Sequence, residues 1–345
     1  MKIASRKRHA LVLFLIFLHG VVIAGGFVAP YDPIQQEREK PYAPPTAIHF
    51  FDAQGRFHLR PFVFSQRVKE GSFDQYEDDT AVRVPVKFFV SGAPYRLFGF
   101  LPARLHLFGA KEGTIHLLGT DGYGRDLFSR ILYGGQISLL AGLLAASVSL
   151  LIGTIVGGAA GYWGGWTDSI AMRAAELCLA LPWLYLLFGV RAFLPLLVSP
   201  VKAFLIVVIA IGALGWARPA RLVRGVALSA KERDFVRVAR GFGASNAYIL
   251  RRHIFPQTKS VVLTQAAILV PQFILAEVTL SFLGLGIPEP APSWGNLLSS
   301  LQQYSVLSSY WWMYLPAAAM VPFFLGYLAL ASALQEGSRA AKIDL

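Results

Sequence analysis

The chain is 345 residues long, 55% hydrophobic and 15% charged, with a formal net charge of +12 and a mean hydropathy of +0.51. A water-soluble domain is about 45–50% apolar and about 25% charged, so this composition excludes a soluble globule and points to a membrane protein. A single cysteine, Cys178, excludes an internal disulfide.

The chain opens with Lys2, Arg6, Lys7 and Arg8 and continues as an apolar run over residues 10–29. That run is long enough for a helix across a hydrocarbon core of about 30 Å. A cleaved signal peptide is the rival reading, although its apolar core is usually about 7–15 residues. Residues 30–115 combine Pro30, Pro33, Pro41, Pro44 and Pro45 with alternating apolar and polar positions at 82–90. The pattern predicts short strands and turns in a mixed extracytoplasmic insertion. His49, His58, His106 and His116 are scattered, without metal-ligand spacing.

Five further apolar runs follow, at 136–162, 170–194, 201–217, 261–285 and 311–334. In the first of them Gly153, Gly157 and Gly161 recur every four residues, a spacing that lets membrane helices approach closely. Pro182, Pro271, Pro316 and Pro322 interrupt later runs and are expected to bend them. The expected fold is an all-α membrane protein of six transmembrane helices, with the mixed insertion between the first two. Its divisions are 1–29, 30–115 and a core at 116–345 that holds a cytoplasmic loop at 218–257.

Orientation follows from where the charge lies. Net charge is +4 over 1–29, +1 over 30–115, +1 over 116–217, +8 over 218–259 and −2 over 260–345. Positive loops stay in the cytoplasm, and six spans put both termini and 218–257 inside, with 30–115 outside. The second outside loop ends at Tyr310, Trp311 and Trp312, an aromatic belt.

Ser229 and Glu232 form a capping-box pattern that predicts a helix start. Beyond it Phe235, Val236, Val238 and Phe242 make a short apolar stripe, while Arg233, Arg237 and Arg240 recur on a polar face. Gly241 and Gly243 break that helix, and Ser245 and Asn246 cap a second one that stops near Pro256. Taken alone, the pattern fits a surface helix on anionic lipid as well as a docking surface. Residues 234–245 with 251–256 resemble the EAA loop of ABC importer permeases. Ala239 matches the third position of the triplet, Gly243 the glycine and Pro256 the ending, whereas Arg237, Val238 and Phe255 replace the usual Glu, Ala and Leu. The resemblance implies that Arg233, Asp234, Phe235, Arg237, Ala239, Arg240, Gly243, Ala244 and Pro256 form the segment that docks on an ATPase subunit.

Residues 118–126, Leu-Gly-Thr-Asp-Gly-Tyr-Gly-Arg-Asp, with Phe128, Ser129 and Arg130, resemble the block ahead of the second span in the dipeptide/oligopeptide/nickel permeases. Gly119, Thr120, Asp121, Gly124, Arg125 and Asp126 carry the match. By their own chemistry these residues make tight turns, and 126–133 predicts a short amphipathic helix at the outer interface with a structural role. Residues 274–286 and 292–296 resemble the same permeases' fifth span and outer loop. Within that span Glu277 is costly, at about 3 kcal/mol or more for an ionisable group in a bilayer. It either packs in the bundle or lines a pathway with Gln272 and Ser281. Arg173 and Glu176 sit three apart as a helix pair, and Arg191 is placed to snorkel.

No G-x-x-x-x-G-K-[ST], nucleophile elbow or H-E-x-x-H occurs, so the chain is expected to be non-catalytic and to bind no cofactor. The resemblance implies a bacterial inner-membrane permease of the type I importer fold, for peptides or related small solutes. Its implied partners are a second homologous permease in a heterodimer, two cytoplasmic ATPase subunits using ATP and Mg, and an extracytoplasmic solute-binding protein. The rival function is a stand-alone channel or proton-coupled transporter gated by Glu277. Nucleic-acid binding is excluded because the basic residues lie in a loop between spans.

Overall fold

Apolar runs fold as helices in a bilayer because no water is there to satisfy a bare backbone amide. The computed structural model describes residues 2–69, 71–72, 75–192 and 199–343. It opens with helices α1 (Lys2–Ile23) and α2 (Gly25–Val28), followed by strands β1 (His49–Phe51), β2 (Phe57–Val68), β3 (Tyr76–Pro85), β4 (Lys87–Leu97) and β5 (Leu101–Gly109). Helices α3 (Leu127–Trp163), α4 (Gly165–Ala180), α5 (Trp183–Ala192), α6 (Pro200–Gly215), α7 (Ala217–Lys231), α8 (Asp234–Gly241) and α9 (Asn246–Ile249) come next. A π turn (Leu250–Ile254) then leads into α10 (Phe255–Phe282), and α11 (Trp294–Ser299), α12 (Tyr304–Ser309) and α13 (Leu315–Ile343) complete the chain.

Among the described residues three helical stretches are long and apolar enough to cross a membrane: Leu127–Trp163, Asn246–Phe282 and Trp311–Gly337. A fourth is obtained if α6 and α7, bent by 41°, count as one span. The first and third predicted runs are each broken. Helix α1 ends at Ile23 and α2 adds only four residues, while Leu181 and Pro182 separate α4 from α5. Residues 193–194 of the third run and the Arg191 side chain lie outside the described residues. Of the four prolines only Pro182 separates two helices. Pro271 and Pro322 lie inside α10 and α13, and Pro316 is the second residue of α13, where its missing N–H would be unpaired anyway.

Three sequence expectations are corrected here. Ser229 does not start a helix: it lies inside α7, whose Val223, Ala227 and Ala230 are buried, and α8 starts after Arg233. Residues 126–133 are not a separate short helix, since α3 begins at Leu127 and runs unbroken to Trp163. The helix capped by Ser245 does not stop near Pro256. It passes through the π turn, which widens the helix just where the proline ring would meet the preceding carbonyl, and continues to Phe282.

The chain divides into two compact units. The first comprises Met1–Leu15, Leu139–Thr279 and Pro322–Leu345. Here the α3 glycines form a seam against α7. A Cβ at Gly153 would lie 2.8 Å from Pro219 Cβ, one at Gly157 2.2 Å from the Ala220 carbonyl oxygen, and one at Gly161 2.7 Å from Ala227 Cβ. The four-residue glycine spacing therefore does what it predicts: it brings two backbones into contact.

The second unit comprises Ile16–Ser138 and Leu280–Val321. It contains an antiparallel sheet in the order β1-β2-β3 and an antiparallel hairpin, β4-β5. The alternating stretch 82–90 is the end of β3 and the start of β4, parted at Val86 after Pro85 ends the ladder. Val63, Val84, Val86, Phe108 and Ile115 form the core of the unit, with Phe128 of α3 packed against it.

Candidate functional site

In the first unit, α8 stands on a small apolar base. Val236, Ile249 and Ile254 are fully buried with Tyr162, Ala227 and Ala230, and Ala239, Ala244 and Phe255 pack against them. The apolar stripe read from the sequence is thus divided, because only Val236 faces inward. Phe235, Val238 and Phe242 point to solvent, Phe242 at 89% exposure, beside the exposed Arg233, Asp234, Arg237 and Arg240.

The turn after α8 is built by backbone bonds from Gly243 N to Arg240 O and from Ala244 N to Ala239 O. Gly243 has φ +78° with open space around it, a conformation that costs a residue with a Cβ far more than it costs glycine. Ser245 caps α9 by accepting from Tyr248 N at 3.3 Å. Tyr162 anchors the turn: its hydroxyl donates to Asn246 Oδ1 at 2.7 Å, and the Arg240 guanidinium lies 5.7 Å from its ring centroid. Pro256 is exposed at the second position of α10.

Three ion pairs lie among the described residues of this unit, one of them between Arg237 of α8 and Glu232, 3.5 Å apart and exposed. Asp168 of α4 takes Arg224 of α7 in a bidentate pair, which sequence reasoning missed because the partners are 56 residues apart. Arg173 and Glu176 are 3.5 Å apart and exposed, a geometry worth little in stability.

The residues proposed for a pathway are spread out. Gln272 lines a cavity of about 390 Å³ with Leu186, Ile211, Leu214, Arg218 and Phe273. Glu277 is fully buried in the same helix, five residues on and so about 140° round it. Ser281, in the second unit, accepts from Ile287 N at 3.1 Å and holds the turn that follows α10.

In the second unit, residues 119–126 form the hub of an ion network. Gly119 has φ +77° and Gly124 φ +70°, and a Cβ on Gly124 would lie 1.9 Å from the Glu37 carbonyl oxygen. Thr120 Oγ1 accepts from Ala43 N and donates to Lys40 O, so the 30–48 segment is laced to the motif. Asp121 accepts from Tyr123 N, Arg125 N and Arg125 Nε, the last at 2.7 Å. Arg125 and Arg130 both donate to Glu289 at 2.8 Å. Asp126 caps α3 through Ser129 N at 2.8 Å and pairs with His116 at 3.0 Å. His116 in turn faces Glu37 at 3.4 Å.

Burial on its own would lower the His116 pKa, but the hydrogen bond to Asp126 and the two facing carboxylates of Asp126 and Glu37 outweigh it and push it up to about 9. Burial likewise works to raise Glu37, and His116, Lys40 and Thr114 overcome it to bring Glu37 down to about 2. The sequence signalled Asp121, Arg125 and Asp126 only through a motif. Arg130 stood at the end of the same motif, whereas their partners Glu37, His116 and Glu289 came from no spacing rule.

Residues 123–339 match a family described as binding-protein-dependent transport system inner membrane component. The dipeptide transport system permease protein DppC of Bacillus subtilis is 39% identical over 222 residues, 64% of this chain and 67% of that protein. The oligopeptide transport system permease protein OppC of Haemophilus influenzae is 43% identical over 190 residues, 53% of this chain and 57% of that protein. Part of each relative's length therefore has no counterpart in the matched region.

Proposed function

Because the chain belongs to the family of inner membrane components of binding-protein-dependent transport systems, we propose that it is the permease subunit of an ATP-driven importer of peptides or related small solutes. The named specificities of the dipeptide and oligopeptide relatives support that cargo. In this reading the chain pairs with a second, homologous permease in a six-span type I bundle. It receives solute from an extracytoplasmic binding protein and meets one of two ATPase subunits on the cytoplasmic side. ATP and Mg are used by that subunit, not by this chain.

The observation that carries the coupling role is α8 itself. Three apolar side chains, Phe235, Val238 and Phe242, are exposed among arginines on a helix that packs inward through Val236 and Ala239. An apolar surface of this kind, displayed on a firm base, suits a partner rather than solvent. Closure of the ATPases on ATP would push on α8 and, through Val236 and the Ile249 and Ile254 cluster, on the foot of α10.

The test is reconstitution with a candidate sister permease and ATPases, followed by ATP-driven uptake of labelled peptides. Phe242→Asp touches no core and is expected to weaken ATPase association about 30-fold, the size of an interface hot spot. Gly243→Pro cannot adopt φ +78°, and Ala239→Asp places a charge against the apolar base. Both are expected to insert normally and to abolish uptake. Wild-type uptake in all three variants would refute the coupling role.

A further inference from the structure

The β4-β5 hairpin is fastened along its length to the segment where the first apolar run finishes, through Tyr95 near the turn, His106 in the middle and Phe89 toward the open end. The Tyr95 ring lies so close over Gly26 that a Cβ there would sit 2.3 Å from it. His106 is hydrogen-bonded to the carbonyls of Ala29 and Ala93, and the Phe89 and Phe27 rings are 6.4 Å apart. The hairpin's turn is bare, with Phe98 59% exposed, Phe100 74% and Leu101 51%; Leu105, further along β5, is 48% exposed, and Phe88 and Phe89 toward the open end are 60% and 63% exposed. Phe98 has φ +54° in the turn, where a bulky side chain is rare, and it leads directly into Phe100.

Acidic residues are confined to one part of this region, where Asp52 pairs with Arg83 and Glu77 with Arg67. Asp52, Glu77, Asp78 and Asp79 belong to the neighbouring sheet region, whereas no acidic residue occurs from 80 to 111. That stretch carries Arg83, Lys87, Arg96, Arg104 and Lys111, and Arg96 and Arg104 flank the bare tip, both exposed.

We propose that the tip of the β4-β5 hairpin lies in the surface of the bilayer at which α2 emerges, with Phe98, Phe100, Leu101 and Leu105 among the acyl-chain ends and Arg96 and Arg104 on anionic phospholipid headgroups. Continuity and charge choose this occupant. The hairpin is fixed, from its open end to Tyr95 beside the turn, to the end of an apolar run in a chain of an inner-membrane family, so a lipid surface is the adjacent phase. Aromatic and leucine side chains flanked by arginines suit a headgroup boundary. Unopposed basic residues gain there from the negative surface potential, about fivefold in partitioning for each. The hairpin would thereby hold the 49–109 strands at the membrane face. The inference rests on membrane insertion of the chain and is independent of the solute it carries.

The test uses the full chain in nanodiscs. Phe100→Cys in a Cys178→Ser background is labelled with an environment-sensitive fluorophore and challenged with a lipid-borne quencher and with aqueous acrylamide. In bilayers containing phosphatidylglycerol the label is expected to be quenched from the lipid and shielded from acrylamide. A label at Asp78→Cys should show the reverse. Adding Arg96→Gln and Arg104→Gln should weaken lipid contact by roughly 25-fold, and pure phosphatidylcholine should weaken it in the same direction. A tip open to acrylamide in both bilayers would overturn the proposal. So would shielding that appears only when a sister permease or binding protein is added, which would assign the surface to a protein.

Discussion

A histidine buried between two carboxylates has no cheap neutral state. His116 is 1% exposed and reaches Asp126 and Glu37 from its two ring nitrogens, so its proton joins the cap of α3 to the 30–48 segment. Its pKa rises from 6.5 to about 9, so its contribution to stability is fully present below pH 6.5 and is lost as pH rises through 9. Glu37 falls from 4.5 to about 2, so its contribution is present above pH 4.5 and is lost as pH falls through 2. Together they stabilise the fold most between pH 4.5 and 6.5. His116→Gln keeps the bulk and removes the charge. Breaking a buried pair in this way costs about 3–5 kcal/mol. The difference in thermal stability between wild type and variant, measured in detergent across pH, is expected to be largest in that window and to shrink toward pH 9. A difference that does not vary with pH would refute the charged-histidine account.

At the scale of elements, backbone proximity governs what can change. The Ala220 carbonyl lies where a Gly157 Cβ would need to be, and neither helix backbone can yield without moving the whole seam. Gly157→Leu is therefore expected to cost more than the usual ~1–3 kcal/mol of overpacking and to leave little folded protein by size-exclusion chromatography. Gly225→Leu, with nothing within 4 Å, should be tolerated. The same pair shows what could be read from residues alone. The glycine spacing of α3 was legible because close helix contact needs that pattern, and the long runs of α3, α10 and α13 were legible because their apolar length carries the helix through, even past Pro271 and Pro322. Ser229 misled because a capping box is worth only about 1 kcal/mol, less than the burial of Val223, Ala227 and Ala230 that carries α7 through it. The ion network was half legible. Asp121, Arg125 and Asp126 stand in one short block, but Arg130 meets Glu289 across 159 residues, and no local pattern encodes that pairing. Exposure was not legible at all: Val236 and Val238 look alike in sequence, and only the fold turns one inward and the other out.

For the whole molecule the open quantity is the number of crossings, and the charge pattern alone leaves it undecided. With α3, the α6-α7 pair, α10 and α13 as the only spans, two crossings separate residues 1–29 from the +8 stretch at 218–259. Six spans put four crossings between them. Both arrangements leave the two basic segments on one side, as positive loops require. They differ in the strand-bearing segment. If α4 and α5 jointly cross, an odd number of crossings separates 30–115 from α8, and the two lie on opposite sides. If the break at Leu181 and Pro182 turns that pair back, they lie together. The α1-α2 pair is decided by whether the N-terminus shares a side with residues 30–115. Three single-cysteine variants in a Cys178→Ser background resolve both questions: Ser5→Cys, Asp78→Cys and Phe242→Cys, probed with a membrane-impermeant maleimide. Asp78→Cys is expected to react in intact cells, and Ser5→Cys and Phe242→Cys only after permeabilisation. Equal reactivity of Asp78→Cys and Phe242→Cys would remove the α4-α5 crossing, and with it the outward-facing insertion that a binding protein could reach.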